Sequence, residues 1–216
     1  MNTFTEENYL KAIYHLSLQS GSASTNQIAT SLNTKAASVT DMLKKLAEKE
    51  LINYTKYQGV TLTEPGEKIA INIIRKHRLW EYFLVEKLNF KWDEVHDVAE
   101  ELEHIASKEL IDRLDDFMGN PKYDPHGDPI PDSNGQFKTH ELKPVAMLIV
   151  NESGIISGVR DHTTSFLQYL EKMQLTIGKT IHLHTITDYG HSVILQADDK
   201  NIPISREVAN NLLIAL

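Results

Sequence analysis

The 216-residue sequence is 41% hydrophobic and 24% charged, which is typical of a folded globular protein and argues against a mostly disordered chain. It contains no cysteine, and this excludes disulfides, iron–sulfur clusters, thiolate zinc sites and cysteine nucleophiles. No apolar run approaches the roughly 18 residues that a membrane span needs, and the N-terminus lacks the pattern of a secretory signal. We therefore expect a cytoplasmic protein of about one to three domains without a membrane partner.

The net charge of −8 is distributed unevenly along the chain. Residues 1–75 hold 8 basic and 7 acidic side chains, residues 76–143 hold 9 and 16, and residues 144–216 hold 5 and 7. Because DNA affinity depends largely on neutralising phosphate charge, the first segment is compatible with a polyanion, whereas the middle segment would repel one. A cation bound in the middle segment would shift this balance towards DNA binding.

The first 64 residues predict three short helices followed by a β-hairpin. We expect helices over residues 5–20, 24–32 and 36–51, with Thr5 capping the first, and a hairpin over residues 52–63. This order is the winged helix-turn-helix pattern, in which the third helix enters the major groove and the hairpin lies along the DNA backbone.

The third helix and the hairpin carry the candidate DNA-binding residues. The exposed helix face is short, polar and rich in hydroxyl groups and lysines, as contacts to bases and phosphates require. A lysine-bearing face that is merely solvated is the alternative for any single residue. The candidates are Lys35, Ala37, Ser38, Thr40, Asp41, Lys44, Lys45 and Tyr57.

The remaining sequence predicts a helical segment and a small β module. We expect a long helix over residues 64–88 and another over residues 94–118, whose near-heptad apolar seam indicates either a two-fold dimer interface or intramolecular core. Residues 119–144 contain five of the seven prolines and predict a linker or an ordered loop. Short strands at 145–150, 154–159, 180–185, 192–197 and 202–204, with a helix at 165–173, indicate an SH3-like β-barrel.

The predicted fold is therefore mainly α with a smaller β part. It consists of a winged helix-turn-helix domain over residues 1–64, a helical domain with a proline-rich loop over 65–143, and an SH3-like domain over 144–216.

The sharpest chemical pattern lies on the predicted helix 94–118. Four of its side chains would share a single arc of about 100° on this helix. These are His96, Glu100, Glu103 and His104. On the preceding helix, His77 and Glu81 are four residues apart and face the same way. Imidazole and carboxylate groups without thiolates suit Mn(II) or Fe(II), and would also accept Zn(II) or Co(II) as surrogates. An acidic face that is simply solvated remains the alternative.

With these residues, the sequence resembles the diphtheria toxin repressor family of metal-dependent transcriptional repressors, in its manganese-responsive branch. The resemblance runs over nearly the whole chain and is carried by residues 7–14, 62–66, 75–81, 96–104 and 125–131. It implies a homodimer with the three domains described above. The second, residues 65–143, would be the dimerisation and metal-binding domain, and the third is akin to ferrous-transport accessory modules.

The resemblance also implies two metal sites. The primary site would use Glu100, Glu103 and His104, with a ligand from position 8 and with His77 nearby. The secondary site would use Glu81, Asp124, His126 and Asp161, with His77 and His96 as the alternatives found in the iron-responsive branch.

Two residues depart from the family pattern. Position 8, usually a carboxylate or a thioether, is Asn8, whose uncharged amide predicts a weaker site unless Glu7 substitutes. Position 124, often a cysteine, is Asp124, which makes the secondary site harder and favours Mn(II).

We therefore expect a non-enzymatic repressor of metal-uptake genes that binds Mn(II), or next Fe(II), and acts as a homodimer on a palindromic operator, with no organic substrate. One alternative is a winged-helix regulator that senses a small organic ligand. A second is a metal-dependent hydrolase, which would need an open coordination position and a substrate pocket.

Overall fold

The computed structural model describes residues 2–55, 59–138, 141–187, 192–198 and 200–216, and the chain folds into two compact units. The first unit comprises Met1–His77, Glu100–Asp112 and Pro131–Gln136, and the second comprises Arg78–Ala99, Arg113–Ile130 and Phe137–Leu216. No helix in the described part of the chain is both long and apolar enough to cross a membrane.

The first unit contains the winged helix that the sequence predicts. Its elements in chain order are α1 (Phe4–Ser20), α2 (Thr25–Ser31), α3 (Ala36–Glu48), β1 (Ile52–Thr55) and β2 (Gly59–Leu62). The two strands pair antiparallel, with Ile52 opposite Leu62. The core between the helices and the hairpin consists of fully buried aliphatic side chains, among them Leu10, Ile13, Ile28, Val39, Leu43, Leu46 and Val60.

Two helix boundaries of the winged helix differ from the prediction. The cap of α1 is Thr3 rather than Thr5, because the Thr3 hydroxyl accepts the Glu6 amide and the Glu6 carboxylate accepts the Thr3 amide. Helix α3 ends at Glu48 rather than at residue 51, since Glu50 has a positive φ of 58° and cannot continue the helix.

Helix α4 (Glu64–Leu88) begins and ends where the sequence predicts, but the following predicted helix 94–118 is wrong. It is interrupted and forms α5 (Val95–Leu102) and α6 (Lys108–Phe117). The Ile105 amide bonds the Leu102 carbonyl at 3.1 Å in a closing turn, and the Ser107 hydroxyl accepts the Leu110 amide and caps α6. Glu103 and His104 consequently lie in the turn between two helices and not on a helix face.

The second unit is built around a six-stranded antiparallel sheet and confirms the predicted SH3-like module. The strands are β3 (Lys143–Pro144), β4 (Ser153–Val159), β5 (Thr180–Ile186), β6 (Val193–Ala197), β7 (Lys200–Ile204) and β8 (Leu212–Ala215), in the order β3-β8-β4-β5-β6-β7. Helices α7 (Thr164–Lys172) and α8 (Arg206–Asn211) accompany them.

The ends of this module were predicted less well. The apolar run 145–150 is not a strand, because the Leu148 amide bonds the Val145 carbonyl and closes a single 3₁₀ turn at Val145–Met147. The elements α8 and β8 do not figure in the prediction at all. Helix α8 is a six-residue, mostly polar segment, and the four-residue apolar run of β8 is ambiguous between helix and strand.

The cap of α6 gives a test of the interrupted helix. We expect Ser107→Ala to lower the free energy of unfolding by about 1 kcal/mol, because it removes the side-chain acceptor of the Leu110 amide. Urea denaturation measures this change, with Ser165→Ala, at an exposed position of α7, as the control. Equal stability of the two variants would show that Ser107 is not a helix cap.

Candidate metal centres and DNA-binding surface

The polar face of α3 lies opposite its buried side and carries the candidate DNA-binding residues. Six of them are exposed, namely Lys35, Ala37, Ser38, Asp41, Lys44 and Lys45. Thr40 is half-buried, and its hydroxyl donates to the Ala36 carbonyl. Lys44 pairs with Asp41 at 3.3 Å, but both side chains remain largely exposed. Tyr57 lies outside the described residues.

A first cluster of metal-ligand side chains surrounds Glu103 in the first unit. We define it as Glu7, Asn8, His77, Glu100, Glu103 and His104. The Glu103 side chain is 0% exposed, and its Oε2 lies 2.6 Å from Nδ1 of His77 on α4. Ligand atoms of His77, Glu100 and Glu103 lie within 4.8 Å of one another. The first cluster therefore brings together residues that are far apart in sequence.

Helix α1 contributes one face to the first cluster. The Glu7 carboxylate lies 2.7 Å from Nδ1 of His104, whose ring stacks on Phe4. One turn further on, the Lys11 ammonium donates to Glu100 and to Glu103. Positions 4, 7, 8 and 11 share a helix face, so Asn8 lies between these contacts.

Asn8 carries the observation that best fits a cation. Its Oδ1 atom is buried and has no hydrogen-bond partner among the described residues. An unsatisfied buried amide oxygen costs about 1–3 kcal/mol. A divalent ion would satisfy this oxygen while being held by the neighbouring carboxylates and imidazoles, so the donor set of the first cluster fits a hard or borderline metal.

The charges in the first cluster favour an ionised Glu103. Burial alone would raise the pKa of the Glu103 carboxyl, but the hydrogen bond with His77 and the positive charges of Lys11 and His77 outweigh burial and lower it. Burial lowers the pKa of the nearby Lys76 ammonium, although Glu7 and Glu103 oppose that shift. The carboxylate at the centre is therefore charged at neutral pH and available to a cation.

A second cluster lies in the second unit and consists of Glu81, His96, Asp124 and His126. The Glu81 carboxylate from α4 lies 3.5 Å from Nδ1 of His126 and 3.6 Å from Nδ1 of His96. Ligand atoms of Glu81, Asp124 and His126 lie within 4.8 Å of one another, and all three side chains are buried. His96 is exposed at the edge.

The proline-rich loop is ordered around Asp124. One Asp124 oxygen accepts the amides of His126 and Asp128, which closes a tight turn. Gly127 has a φ of +88°, and a Cβ there would come within 2.1 Å of the Ser157 carbonyl oxygen. A glycine is therefore required between His126 and Asp128, and the loop around it is the ordered loop of the two alternatives that the sequence left open.

His126 is held at both ring nitrogens. Its Nε2 donates to the Trp92 carbonyl at 2.7 Å, and its Nδ1 faces Glu81. Burial would lower the pKa of His126, but the bond to Glu81 and the charges of Glu81 and Asp124 raise it to about 9. Burial and the charges of Asp128 and Glu81 raise the pKa of Asp124 to about 7. The second cluster therefore retains protons that a metal would have to replace.

Two expectations about the ligands are not met, one for Asp161 and one for the arc from His96 to His104. Asp161 accepts the Thr163 amide in its own loop, and it belongs to no trio of ligand atoms within 4.8 Å among the described residues. The single arc expected from His96 to His104 does not exist, because the interruption after Leu102 separates His96 in the second unit from Glu103 and His104 in the first.

Comparisons with known proteins find relatives along nearly the whole chain. Family models for the iron dependent repressor N-terminal DNA binding domain, the iron dependent repressor metal binding and dimerisation domain and the FeoA domain match residues 1–60, 63–132 and 143–216. A solved manganese-dependent transcriptional repressor in complex with manganese is 30% identical, with a TM-score of 0.84 over 97% of this chain and 98% of that one.

The chain belongs to the diphtheria toxin repressor family of metal-dependent transcriptional repressors. Among curated relatives, the iron-dependent repressor IdeR of Mycobacterium tuberculosis is 34% identical over 127 residues, which span 59% of this chain and 55% of IdeR. The regulator MntR of Oceanobacillus iheyensis is 36% identical over 124 residues, which span 57% of this chain and 84% of MntR. The match thus covers little more than half of IdeR.

Sequence reasoning missed Lys11, whose ammonium contacts the first cluster. Lys11 stands four residues after Glu7, a spacing that on a surface helix predicts an ordinary ion pair. The structure instead directs its ammonium to Glu100 and Glu103. The sequence did contain a signal, because Lys11 lies on the same helix face as Asn8, the proposed ligand position.

The raised pKa of His126 predicts how stability depends on pH when divalent ions are removed. The folded state keeps this proton up to about pH 9, whereas an unfolded histidine releases it near 6.5. Its contribution to the free energy of unfolding is therefore fully present below pH 6.5 and is lost as pH rises through about 9. The raised pKa of Asp124 acts in the same direction at lower pH.

Urea midpoints in EDTA at pH 6.5 and 9 measure this effect. We expect His126→Gln to reduce the fall of the urea midpoint, whereas His184→Gln, at an exposed position of β5, leaves it unchanged. An undiminished fall in His126→Gln would refute the assignment.

Proposed function

We propose that this chain is a homodimeric, divalent-metal-dependent transcriptional regulator that binds DNA through α3 and the hairpin and represses metal-uptake genes. The observation that carries the proposal is the buried Glu103 carboxylate, which contacts α1 of the winged helix through Lys11 and α4 through His77. A cluster that joins a DNA-binding element to a helical domain can couple cation binding to the position of the recognition helix.

The ligands of the primary site would be Glu100, Glu103 and His104, with Asn8 and Glu7 from α1 and with His77 beside them. A divalent ion would supply the positive charge that these clustered carboxylates need. Glu7 and Asn8 then hold α1 against the turn that carries Glu103 and His104, and α1 carries the rest of the winged helix with it. In a dimer, the two recognition helices would keep the fixed spacing that half-sites of a palindromic operator require.

The secondary site would use Glu81, Asp124 and His126, with His96 at its edge and Asp161 as the further candidate. All of these donors are oxygen or imidazole nitrogen, which suits Mn(II) first and Fe(II) next, with Zn(II) or Co(II) as surrogates. The relative compared above is a repressor in complex with manganese, and IdeR is named iron-dependent. Asp124 in place of a thiolate supports Mn(II).

We assign these residues to binding and none to catalysis, because the relatives compared are named as repressors or regulators. The apolar side of the helical domain would form the dimer, in line with the dimerisation domain that its sequence matches. The operator would be a palindrome, and the site of action would be the cytoplasm, where a bacterial-type regulator meets its DNA.

The role of Glu103 is tested by a matched pair of glutamates. We expect Glu103→Gln to lower DNA affinity in Mn(II) at least about tenfold, because a buried charge with its hydrogen bonds is lost. Glu101, two residues earlier and exposed, provides the control Glu101→Gln. Electrophoretic mobility shift with duplexes selected from a random pool measures affinity in Mn(II) and in EDTA, and size-exclusion chromatography checks that the dimer persists.

Wild-type DNA affinity that is equal in EDTA and in Mn(II) would refute metal dependence. In that case, calorimetry with divalent ions distinguishes two possibilities. No metal binding would indicate a regulator that senses another class of ligand, whereas metal binding would indicate a metal with a structural role. Dissociation of Glu103→Gln into monomers would show that Glu103 is structural.

The DNA surface is tested through salt dependence. We expect Lys44→Ala to weaken binding to all duplexes similarly and to reduce the slope of log affinity against log salt by about 1, since one phosphate contact is lost. Lys172→Ala, at an exposed position of α7, is the control. An unchanged slope in Lys44→Ala would place the DNA surface elsewhere.

A further inference from the structure

Lys11 makes a set of contacts that a metal would need for itself. Its ammonium donates to Glu100 Oε1 at 2.5 Å, to Glu103 Oε1 at 2.7 Å and to Glu103 Oε2 at 2.8 Å. The Lys11 side chain is 14% exposed. A lysine ammonium has three donors, and these three oxygens use all of them. Lys11 is thus the principal positive charge on the two central carboxylates.

The same carboxylates form the core of the proposed primary site. Glu100 and Glu103 place ligand atoms within 4.8 Å of each other and of His77. An ammonium and a divalent ion cannot both sit among these oxygens, because they require the same lone pairs and repel each other at short range.

We propose that Lys11 is the built-in counter-cation of the primary site, and that a divalent ion must displace its ammonium from Glu100 and Glu103 in order to bind. Lys11 then sets the metal concentration at which the regulator responds. This inference rests on the function proposed above and adds to it a residue that determines affinity without being a ligand.

The neighbouring groups support Lys11 rather than Lys76 as the cation that moves. The Lys76 side chain is buried, and its ammonium contacts the Ile105 carbonyl at 3.5 Å, so it has an acceptor outside the carboxylates. The three hydrogen bonds of Lys11 all go to Glu100 and Glu103. The Lys11 head group also stands on a flexible four-carbon stem, which lets it leave while α1 stays in place.

Asn8, which lies on the same helix face as Lys11, explains why replacing the Lys11 ammonium with a divalent ion is favourable. Its buried Oδ1 has no hydrogen-bond partner among the described residues, although Lys11 is on the same helix face. The Lys11 donors are already used by carboxylates and do not reach this amide. An ion that replaces Lys11 gains the Asn8 oxygen as well, so displacement satisfies a buried polar atom that the ammonium leaves unsatisfied.

Two substitutions with opposite expected effects test the proposal in the full-length protein. We expect Lys11→Gln to bind Mn(II) about tenfold more tightly, because hydrogen bonds between charged groups worth roughly 1.5–3 kcal/mol no longer compete. It should also lower the Tm measured in EDTA. We expect Lys11→Arg to bind Mn(II) several-fold more weakly, because a guanidinium holds carboxylates in paired bonds.

The matched control is Lys49→Gln. Lys49 bonds Glu6 on the same helix at 2.7 and 2.8 Å, but Glu6 lies outside the first cluster. This variant should lower the Tm and leave Mn(II) affinity unchanged. Isothermal titration calorimetry with MnCl₂ gives the affinities.

Acetylation of the wild-type protein, read by mass spectrometry, provides a measurement that needs no variant. Lys11 should react severalfold faster in Mn(II) than in EDTA, with Lys49 as the internal reference.

The outcomes separate this inference from the function on which it rests. If the wild type binds Mn(II) and Lys11→Gln binds it equally or more weakly, Lys11 is a structural residue and the inference is wrong. Equal Lys11 acetylation in both conditions would also overturn it. If the wild type does not bind Mn(II) at all, the proposed function itself fails.

Discussion

The structure of the first unit depends on one buried negative charge. Glu103 is 0% exposed and is balanced by Lys11 from α1 and His77 from α4. Removing a carboxylate from water is costly unless it is paired, so this residue forces three separate chain segments to meet. The winged helix is thereby joined to the helical segment through charge, in addition to apolar packing. Under the proposed function, a ligand that alters the charge around Glu103 would act on the position of α1.

The interruption between α5 and α6 makes this arrangement possible. In a continuous helix, His96, Glu100, Glu103 and His104 would all face one way. The turn after Leu102 instead releases Glu103 and His104 to face α1, while His96 stays with Glu81. One acidic stretch of sequence therefore contributes to two separate clusters, each with its own buried carboxylate.

The sequence predicted much of the fold because local signals agreed with the packing. The apolar spacing of α4 gave both of its ends, and the order of three helices and a hairpin gave the winged helix. The break at residues 103–107 was missed because apolar residues recur at helical spacing on both sides of it. The signals for the break were the five-residue step from Ile105 to Leu110, which shifts the apolar seam on the helix, and the capping Ser107. Helix α8 is a short, mostly polar segment capped by Ser205, and the apolar run of β8 is too short for its period to decide between helix and strand.

The candidate ligands could be proposed from residue type and from resemblance. Which ligands meet in which cluster could not be predicted from the sequence. Pairings such as Glu7 with His104 join residues 97 apart, and no spacing rule reaches that far. Lys11 was overlooked because lysine is not a metal ligand in this chemistry, although its ammonium contacts two of the candidate ligands. Asp124 was recognised as a hard donor, whereas the turn that its own carboxylate builds with His126 and Asp128 follows from the folded loop.

The central claim is that carboxylate, amide and imidazole groups from α1, α4 and the α5–α6 turn hold one divalent ion around Glu103. An anomalous difference map at the manganese edge, from crystals grown in excess Mn(II), tests it most directly. The account predicts a peak within bonding distance of Glu103, flanked by Glu100 and His104 and reached by Asn8. A map from saturated crystals with no peak at Glu103, and with the Lys11 ammonium still on both glutamates, would contradict it.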